Sequence, residues 1–248
     1  MGKKASNRLY VPGPLTPGSE LTLDEERTRY IAAVLRLRVG EELALFDGRG
    51  GEFAAIITEA SRRAVILHIG AHRAREFESP LRINLVQGVS RGERMDLVVQ
   101  KATELGVHRI TPVLTGRSVV QLDGEKSSKR AAHWTKVAQS ACEQCGRNVV
   151  PLIDTPQSFA SWLAAAETSD AQRVVLLPGA ARTLTNLEYA GDVWQVLIGP
   201  EGGLSDTEVA QAVSAGFVPC ALGPRVLRTE TAAIAALAIL QDRYGDLG

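Results

Sequence analysis

The pattern of apolar and polar positions changes near residue 80 of this 248-residue chain. Before that point the apolar runs are short and alternating. ELALF (42–46), EFAAIIT (52–58) and AVILHIG (64–70) read as strands, joined at Asp47-Gly48 and by a polar turn around Ser61. Ahead of them, Thr22 or Asp24 is placed to cap a short helix with Ile31, Val34 and Leu35 as its apolar stripe. Three or four short strands with tight turns predict a small barrel. The charged stretch AHRAREFESP ends in Pro80 and reads as a linker, which divides the chain into domains 1–79 and 80–248.

After the linker, strands alternate with helices. RINLVQGV (82–89) precedes a helix over 93–106, with Met95, Val98, Val99, Ala102 and Leu105 on one face and Gly106 as its stop. HRITPVL (108–114) is followed by a long helix from about Ser128 to Cys145, then VVPLI and a helix around 158–166. Three apolar strands come next: RVVLLP (173–178), VWQVLIG (193–199) and FVPCAL (217–222). A helix over 206–215 lies between the last two, and a final helix spans 231–244. Apolar strands alternating with helices predict an α/β domain whose mainly parallel sheet is covered on both faces.

Composition narrows the function classes. With 45% apolar and 23% charged residues the chain has enough material for a sizeable core. Its longest apolar stretch, 232–240, is too short to cross a bilayer. The basic N-terminus lacks the apolar core of a signal peptide, so a cytoplasmic location and no membrane partner are expected. Cys142 and Cys145 form a C-x-x-C inside a helical run. No second such pair or spaced histidine pair accompanies it, so no metal site is expected. The overall charge of zero hides an asymmetry. Residues 1–79 hold 12 basic against 11 acidic side chains, residues 80–150 hold 11 against 6, and residues 151–248 hold 5 against 11. A basic middle suits nucleic acid, and it suits a complementary dimer surface equally well.

Ligands of open parallel sheets bind beyond the carboxyl ends of strands. Three such ends carry unusual loops: Gly179 after RVVLLP, then Pro200-Glu201-Gly202-Gly203-Leu204-Ser205, then Gly223-Pro224-Arg225-Val226-Leu227-Arg228-Thr229-Glu230-Thr231. Glycines let the backbone approach a ligand and prolines stiffen the loop, which suits a flat polar group such as adenine. Neither the dinucleotide fingerprint nor the phosphate-binding P-loop pattern is present.

LIGPEGGLSDTEV (197–209) and LGPRVLRTETA (222–232) resemble the two signature motifs of the knotted SPOUT methyltransferases. QKATELGVHRITPVLTGRSVV (100–120), ACEQCGRNVVP (141–151) and VLRLRVGEELALFDGRG (34–50) narrow the resemblance to the RsmE family, the uridine-N3 methyltransferases of small-subunit ribosomal RNA. One departure is Tyr30, where family members commonly carry His just ahead of the VLR segment. The resemblance implies a trefoil-knotted methyltransferase domain preceded by a PUA-like RNA-binding β-barrel. It also implies S-adenosyl-L-methionine as cofactor, a homodimer, and 16S ribosomal RNA, within the assembled small subunit, as substrate.

With that chemistry in view, Leu177, Gly179, Ile198, Gly199, Gly202, Leu222, Leu227 and Thr231 are the expected cofactor-binding positions, and Glu201 is a helix cap or loop support. Uridine N3 must lose a weakly acidic proton, so a cation beside the uridinate and a base are wanted. Arg228 is expected to stabilise the charge and Glu230 to act as base, although a mutual ion pair bracing the loop is an alternative. Arg8, Arg36, Arg38, Arg91, Arg94 and Arg117 are candidate RNA contacts, each also readable as a surface charge. Competing readings are ribose 2′-O-methylation on the same fold and a non-catalytic RNA-binding protein that has kept the fold.

Overall fold

Asp24 starts the first helix, α1 (Glu25–Arg29): its carboxylate accepts the Arg27 N–H at 2.8 Å. Directly after Arg29 the helix widens into a π-turn over Tyr30–Leu35, which closes on Arg36 in the left-handed conformation. The widening alters the helical phase. Ile31 is therefore fully buried, while Val34, expected on the same stripe, is 64% exposed.

Around this helix lie β1 (Arg8–Tyr10), β2 (Glu20–Thr22), β3 (Glu42–Phe46), β4 (Glu52–Ala60) and β5 (Val65–Arg73). They form one sheet in the order β1-β3-β4-β5-β2, with only the β1–β3 pairing parallel. Among the described residues no ladder joins β1 to β2, so the strands form an open mixed sheet. Leu9, Ile31, Leu43, Leu45, Ile57 and Leu67 fill its core. The described residues of this computed structural model are 7–61, 63–118, 124–165, 170–188 and 191–248. Ala166, expected to end the fourth helix, lies outside them.

The chain divides into two compact units, residues 1–78 with 142–150 and residues 79–141 with 151–248. The inclusion of 142–150 in the first unit comes from buried polar contacts. Arg8 forms an ion pair with buried Glu52 and donates to the Arg147 carbonyl at 3.0 Å and to Asn148 Oδ1 at 2.7 Å. Arg147 in turn donates to Glu78 at 2.7 Å, and the Tyr10 N–H donates to Glu143 at 3.0 Å. Burial holds the Glu143 carboxyl above its ordinary pKa, against the hydrogen bond from Tyr10 and the charges of Arg27 and Arg8.

The second unit contains β6 (Arg82–Gly88), α2 (Arg94–Glu104), β7 (Arg109–Leu114) and α3 (Gly124–Cys145), whose last turn belongs to the first unit. Then follow β8 (Leu152–Ile153), β9 (Gln157–Ser158), α4 (Phe159–Ala165), β10 (Gln172–Leu176), β11 (Val193–Ile198), α5 (Asp206–Ser214), β12 (Val218–Cys220) and α6 (Thr229–Tyr244). The sheet runs β12-β10-β11-β6-β7-β8, every pairing parallel, with β9 extending the β8 edge along β7. Val86, Val113, Val175 and Leu197 point to one face and meet Phe159 and Trp162 of α4, Ala212 of α5, and Phe217. Helices α2 and α6 pack together, with α6 against β11. The expectation of a parallel sheet with helices on both faces is met. Among the described residues no helix is long and apolar enough to cross a membrane.

Candidate functional site

Register places the carboxyl ends of the central strands side by side. Ile198 of β11 lies opposite Gln87 of β6, Gly88 opposite Val113 of β7, and Leu176 of β10 opposite Cys220 of β12. The loops after these strands therefore converge at one end of the sheet. They enclose a cavity of about 670 Å³, within the usual size range of small-molecule sites.

Gly88 makes the convergence possible. A Cβ at this position would lie 2.4 Å from the Pro200 nitrogen, so only glycine lets the β11 loop cross the end of β6. The loop then turns tightly, with Gly203 N–H donating to the Pro200 carbonyl at 2.8 Å and Gly203 at a φ of +70°. Ser205 begins α5 through a reciprocal capping box with Glu208. The second Glu208 oxygen accepts the Gly116 N–H at 2.8 Å, tying the β7 loop to the same point.

Glu201 is a clasp for the loop and takes no part in capping α5. Its carboxylate accepts the Arg91 N–H at 3.0 Å and Arg94 Nη1 at 2.5 Å, both from the stretch that opens α2. Burial opposes its charge, but hydrogen bonds from its own amide, Arg91 and Arg94, with the Arg94 charge, hold its pKa below the ordinary value. From the other side, Arg117 donates to the Gly202 carbonyl at 3.2 Å.

A buried relay joins the loop to α6. Gln87, fully buried, donates through Nε2 to Thr229 Oγ1 at 2.8 Å. Thr229 Oγ1 donates to the Gly199 carbonyl at 2.7 Å. From β12 at the sheet edge, the segment 222–228 reaches α6 with the β10 loop beside its start. Ala221 N–H donates to the Arg182 carbonyl at 2.8 Å, and the Leu184 N–H to the Ala221 carbonyl at 3.1 Å.

Of the expected cofactor positions, Leu177, Ile198, Gly199, Leu222 and Leu227 line the cavity. Gly179, Gly202 and Thr231 do not. Gly202 faces Arg117, whose Cβ would lie 3.0 Å from an added Cβ. Thr231 is exposed on α6, and the threonine turned into the site is Thr229, two positions earlier. Arg228 and Glu230 both line the cavity, and no ion pair joins them, which removes the bracing alternative. One Glu230 oxygen, Oε2, is buried without a hydrogen-bond partner.

The arginines separate by environment. Arg8 is consumed by Glu52, Arg147 and Asn148 and stacks over Phe46 at 4.8 Å, so it is a structural residue of the first unit and offers nothing to a phosphate. Arg36 and Arg38 are exposed, the latter donating its backbone N–H to Glu41. Arg91 is exposed, while Arg94 and Arg117 line the cavity. Gly88 and Gln87 carry no signal of their own in the sequence, and Thr229 stands there only as one residue of the third loop. The Thr-Glu-Thr repeat disguised Thr229, since only helix phase separates it from Thr231. Cys142 is buried and its thiol pushed up to about 12, chiefly by burial, which disfavours the thiolate that a reactive C-x-x-C would need at this position. Among the described residues no cluster of His, Cys, Asp and Glu could hold a metal ion.

A parallel sheet with a cavity formed by glycine-bearing loops at its carboxyl end defines a cofactor-binding α/β protein. Comparison with known proteins sharpens the class. Residues 77–241 match the RNA methyltransferase domain family and residues 23–70 the RNA methyltransferase PUA domain. Ribosomal RNA small subunit methyltransferase E of Buchnera aphidicola from Schizaphis graminum is 35% identical over 99% of both chains. Its Bacillus subtilis counterpart is 32% identical over 87% of both. Among solved structures, a Legionella pneumophila methyltransferase in complex with S-adenosylmethionine superposes with a TM-score of 0.94, at 41% identity over 98% of this chain and all of that one. Ribosomal RNA small subunit methyltransferase E of Neisseria gonorrhoeae, also bound to S-adenosylmethionine, gives 0.91 at 35% identity, over 98% of this chain and all of that one. The chain belongs to the ribosomal RNA small subunit methyltransferase E family, with the SPOUT-type methyltransferase fold and a PUA domain, as the motifs at 197–209 and 222–232 implied.

Proposed function

We propose that this protein transfers a methyl group from S-adenosylmethionine to N3 of a uridine in 16S ribosomal RNA, acting as a homodimer on the assembled small subunit in the cytoplasm. The observation that carries the reading is the cavity itself, lined by both signature motifs in a chain whose relatives were solved with S-adenosylmethionine. The residues present fit such a cofactor. Leu177, Ile198, Leu222 and Leu227 supply apolar surface for a purine, Gly199 presents main chain to the cavity, and Glu230, which pairs with no cation among the described residues, suits a cationic group.

When bound, the cofactor supplies an electrophilic methyl group. The protein's own residues prepare the acceptor. Arg228 holds the negative charge that develops on a uracil carbonyl oxygen as the N3–H bond breaks, and its guanidinium stays charged at any working pH. Glu230, two residues along the same cavity wall, takes that proton.

Residues 1–79 serve as the RNA-binding domain and residues 80–248 as the methyltransferase domain. Exposed Arg36 and Arg38 in the former, with Arg91 and Arg117 in the latter, are positioned for phosphate contacts that weaken with salt. Mass spectrometry of ribosomal RNA nucleosides from cells lacking this protein tests the reaction. Loss of 3-methyluridine, restored by the gene, is expected. An unchanged level, or loss of a ribose-methylated nucleoside instead, overturns the assignment.

A further inference from the structure

Two carboxylates line the cavity, and the protein satisfies only one of them. Glu201 is occupied by Arg94 and by the Arg91 N–H. Glu230 has one oxygen buried with no hydrogen-bond partner, and Arg228, the nearest cation in sequence, forms no ion pair with it. Among the described residues no cation pairs with Glu230, and Glu230 lines the cavity, so a ligand bearing positive charge gains by lying beside it. Glu230 sits in the first turn of α6, where a helix favours negative charge and disfavours a cation. Arginines 94, 117, 225 and 228 make the remaining charged lining basic, which leaves Glu230 as the attractive point for a cationic ligand group.

We propose that Glu230 is the counter-charge that selects the sulfonium form of the cofactor over the neutral thioether left after methyl transfer. The proposal rests on the reading of S-adenosylmethionine as cofactor. The apolar lining of Leu177, Ile198, Leu222 and Leu227 would take the adenine, and Glu230 would hold the sulfonium end of the same ligand. Once the methyl group has left, the sulfur is uncharged and the attraction to Glu230 disappears. The site thereby favours exchange of spent cofactor for fresh.

Calorimetric binding of S-adenosylmethionine, S-adenosylhomocysteine and an analogue with an amine in place of the methylated sulfur tests this without any turnover. Glu230→Gln should lower the preference for S-adenosylmethionine over S-adenosylhomocysteine by on the order of tenfold, the effect of removing one partly buried charge–charge contact. Glu230→Asp, which keeps the charge, should retain most of the preference. In the unsubstituted chain the amine analogue should bind like S-adenosylmethionine, which keeps the test available if a variant fails to fold. An unchanged preference in Glu230→Gln overturns the proposal. So does an equal loss for both ligands, which would place Glu230 on the amino-acid ammonium, or an amine analogue that binds like the thioether. An unsubstituted chain that binds none of the three would instead refute the cofactor reading itself.

Discussion

Replacing Thr229 by valine isolates the relay that fixes the cavity's central loop. Valine keeps the shape of the side chain and removes only the hydroxyl, which accepts from Gln87 at 2.8 Å and donates to Gly199 at 2.7 Å. Thr229 is 6% exposed and Gln87 not exposed at all, so water cannot replace the partner that Gln87 loses. The Gly199 carbonyl loses its donor, and Gln87, whose Oε1 already has no partner, keeps only its 3.1 Å bond to the Gly88 carbonyl. An unsatisfied buried group such as the Gln87 amide costs about 1–3 kcal/mol and the partly exposed Gly199 carbonyl adds less, so the substitution should destabilise the second unit by about 2–4 kcal/mol. For a chain of this length that lowers the melting temperature by roughly 5–12 °C. Because Gly199 lines the cavity, affinity for S-adenosylmethionine should fall by on the order of tenfold, equivalent to about 1.4 kcal/mol. Thr229→Ser, which keeps the hydroxyl, should recover most of both losses. Thermal melts followed by circular dichroism, with calorimetry on the folded variant, read the two effects. A valine variant that melts and binds like the parent refutes the relay.

Four further outcomes are expected. Arg8→Ala leaves Glu52 buried without its close cation and should cost about 3–5 kcal/mol in denaturant unfolding, while the salt dependence of RNA binding stays unchanged; a flattened salt slope would return Arg8 to the RNA surface. Gly88→Ala forces the β11 loop away from β6 and should weaken calorimetric cofactor binding by at least about tenfold, because the new Cβ would fall 2.4 Å from the Pro200 nitrogen. Arg228→Ala should slow single-turnover methyl transfer by about 10²–10³-fold at saturating cofactor and RNA. Since no Arg228–Glu230 ion pair exists, its melting temperature should stay near the parent's, and a preserved rate would remove Arg228 from the chemistry. Finally, with its thiol pushed up to about 12, Cys142 should resist alkylation at pH 8 in the native protein and react once the chain is denatured, as peptide mapping would show. Native labelling would contradict its burial.

The parallel sheet was legible because its strands are apolar throughout and its helices carry caps that sequence displays, such as Ser205 three residues ahead of Glu208. The loops of the site were legible for a related reason: glycine and proline at strand ends are conspicuous. What the sequence hid depended on angle and distance. The π-turn after Arg29 rotates Val34 to the surface, and no composition signal marks the change of phase. Arg8 reads as any surface arginine until Glu52, 44 residues away, is placed beside it. Gly88 closes an unremarkable strand, and its role emerges only when Pro200 arrives against it. The short strands β1 and β2, of three residues each, are set by pairing with β3 and β5 and carry too little pattern to predict.

The nine residues 142–150, which join the first unit from far along the chain, have a consequence for how the protein is made. A nascent chain emerging amino end first cannot finish its leading unit when residue 78 appears. Arg8 and Glu78 must wait for Arg147 and Asn148, which emerge only after much of the following sheet has begun to form. Because synthesis proceeds at roughly 5–20 residues per second, that wait lasts several seconds, long compared with the folding of a small domain. The leading unit is therefore completed as the trailing one is being built, and a ribosome stalled before codon 147 would hold a chain in which Arg8, although paired with Glu52, lacks the Arg147 carbonyl and Asn148, and half-buried Glu78 lacks Arg147.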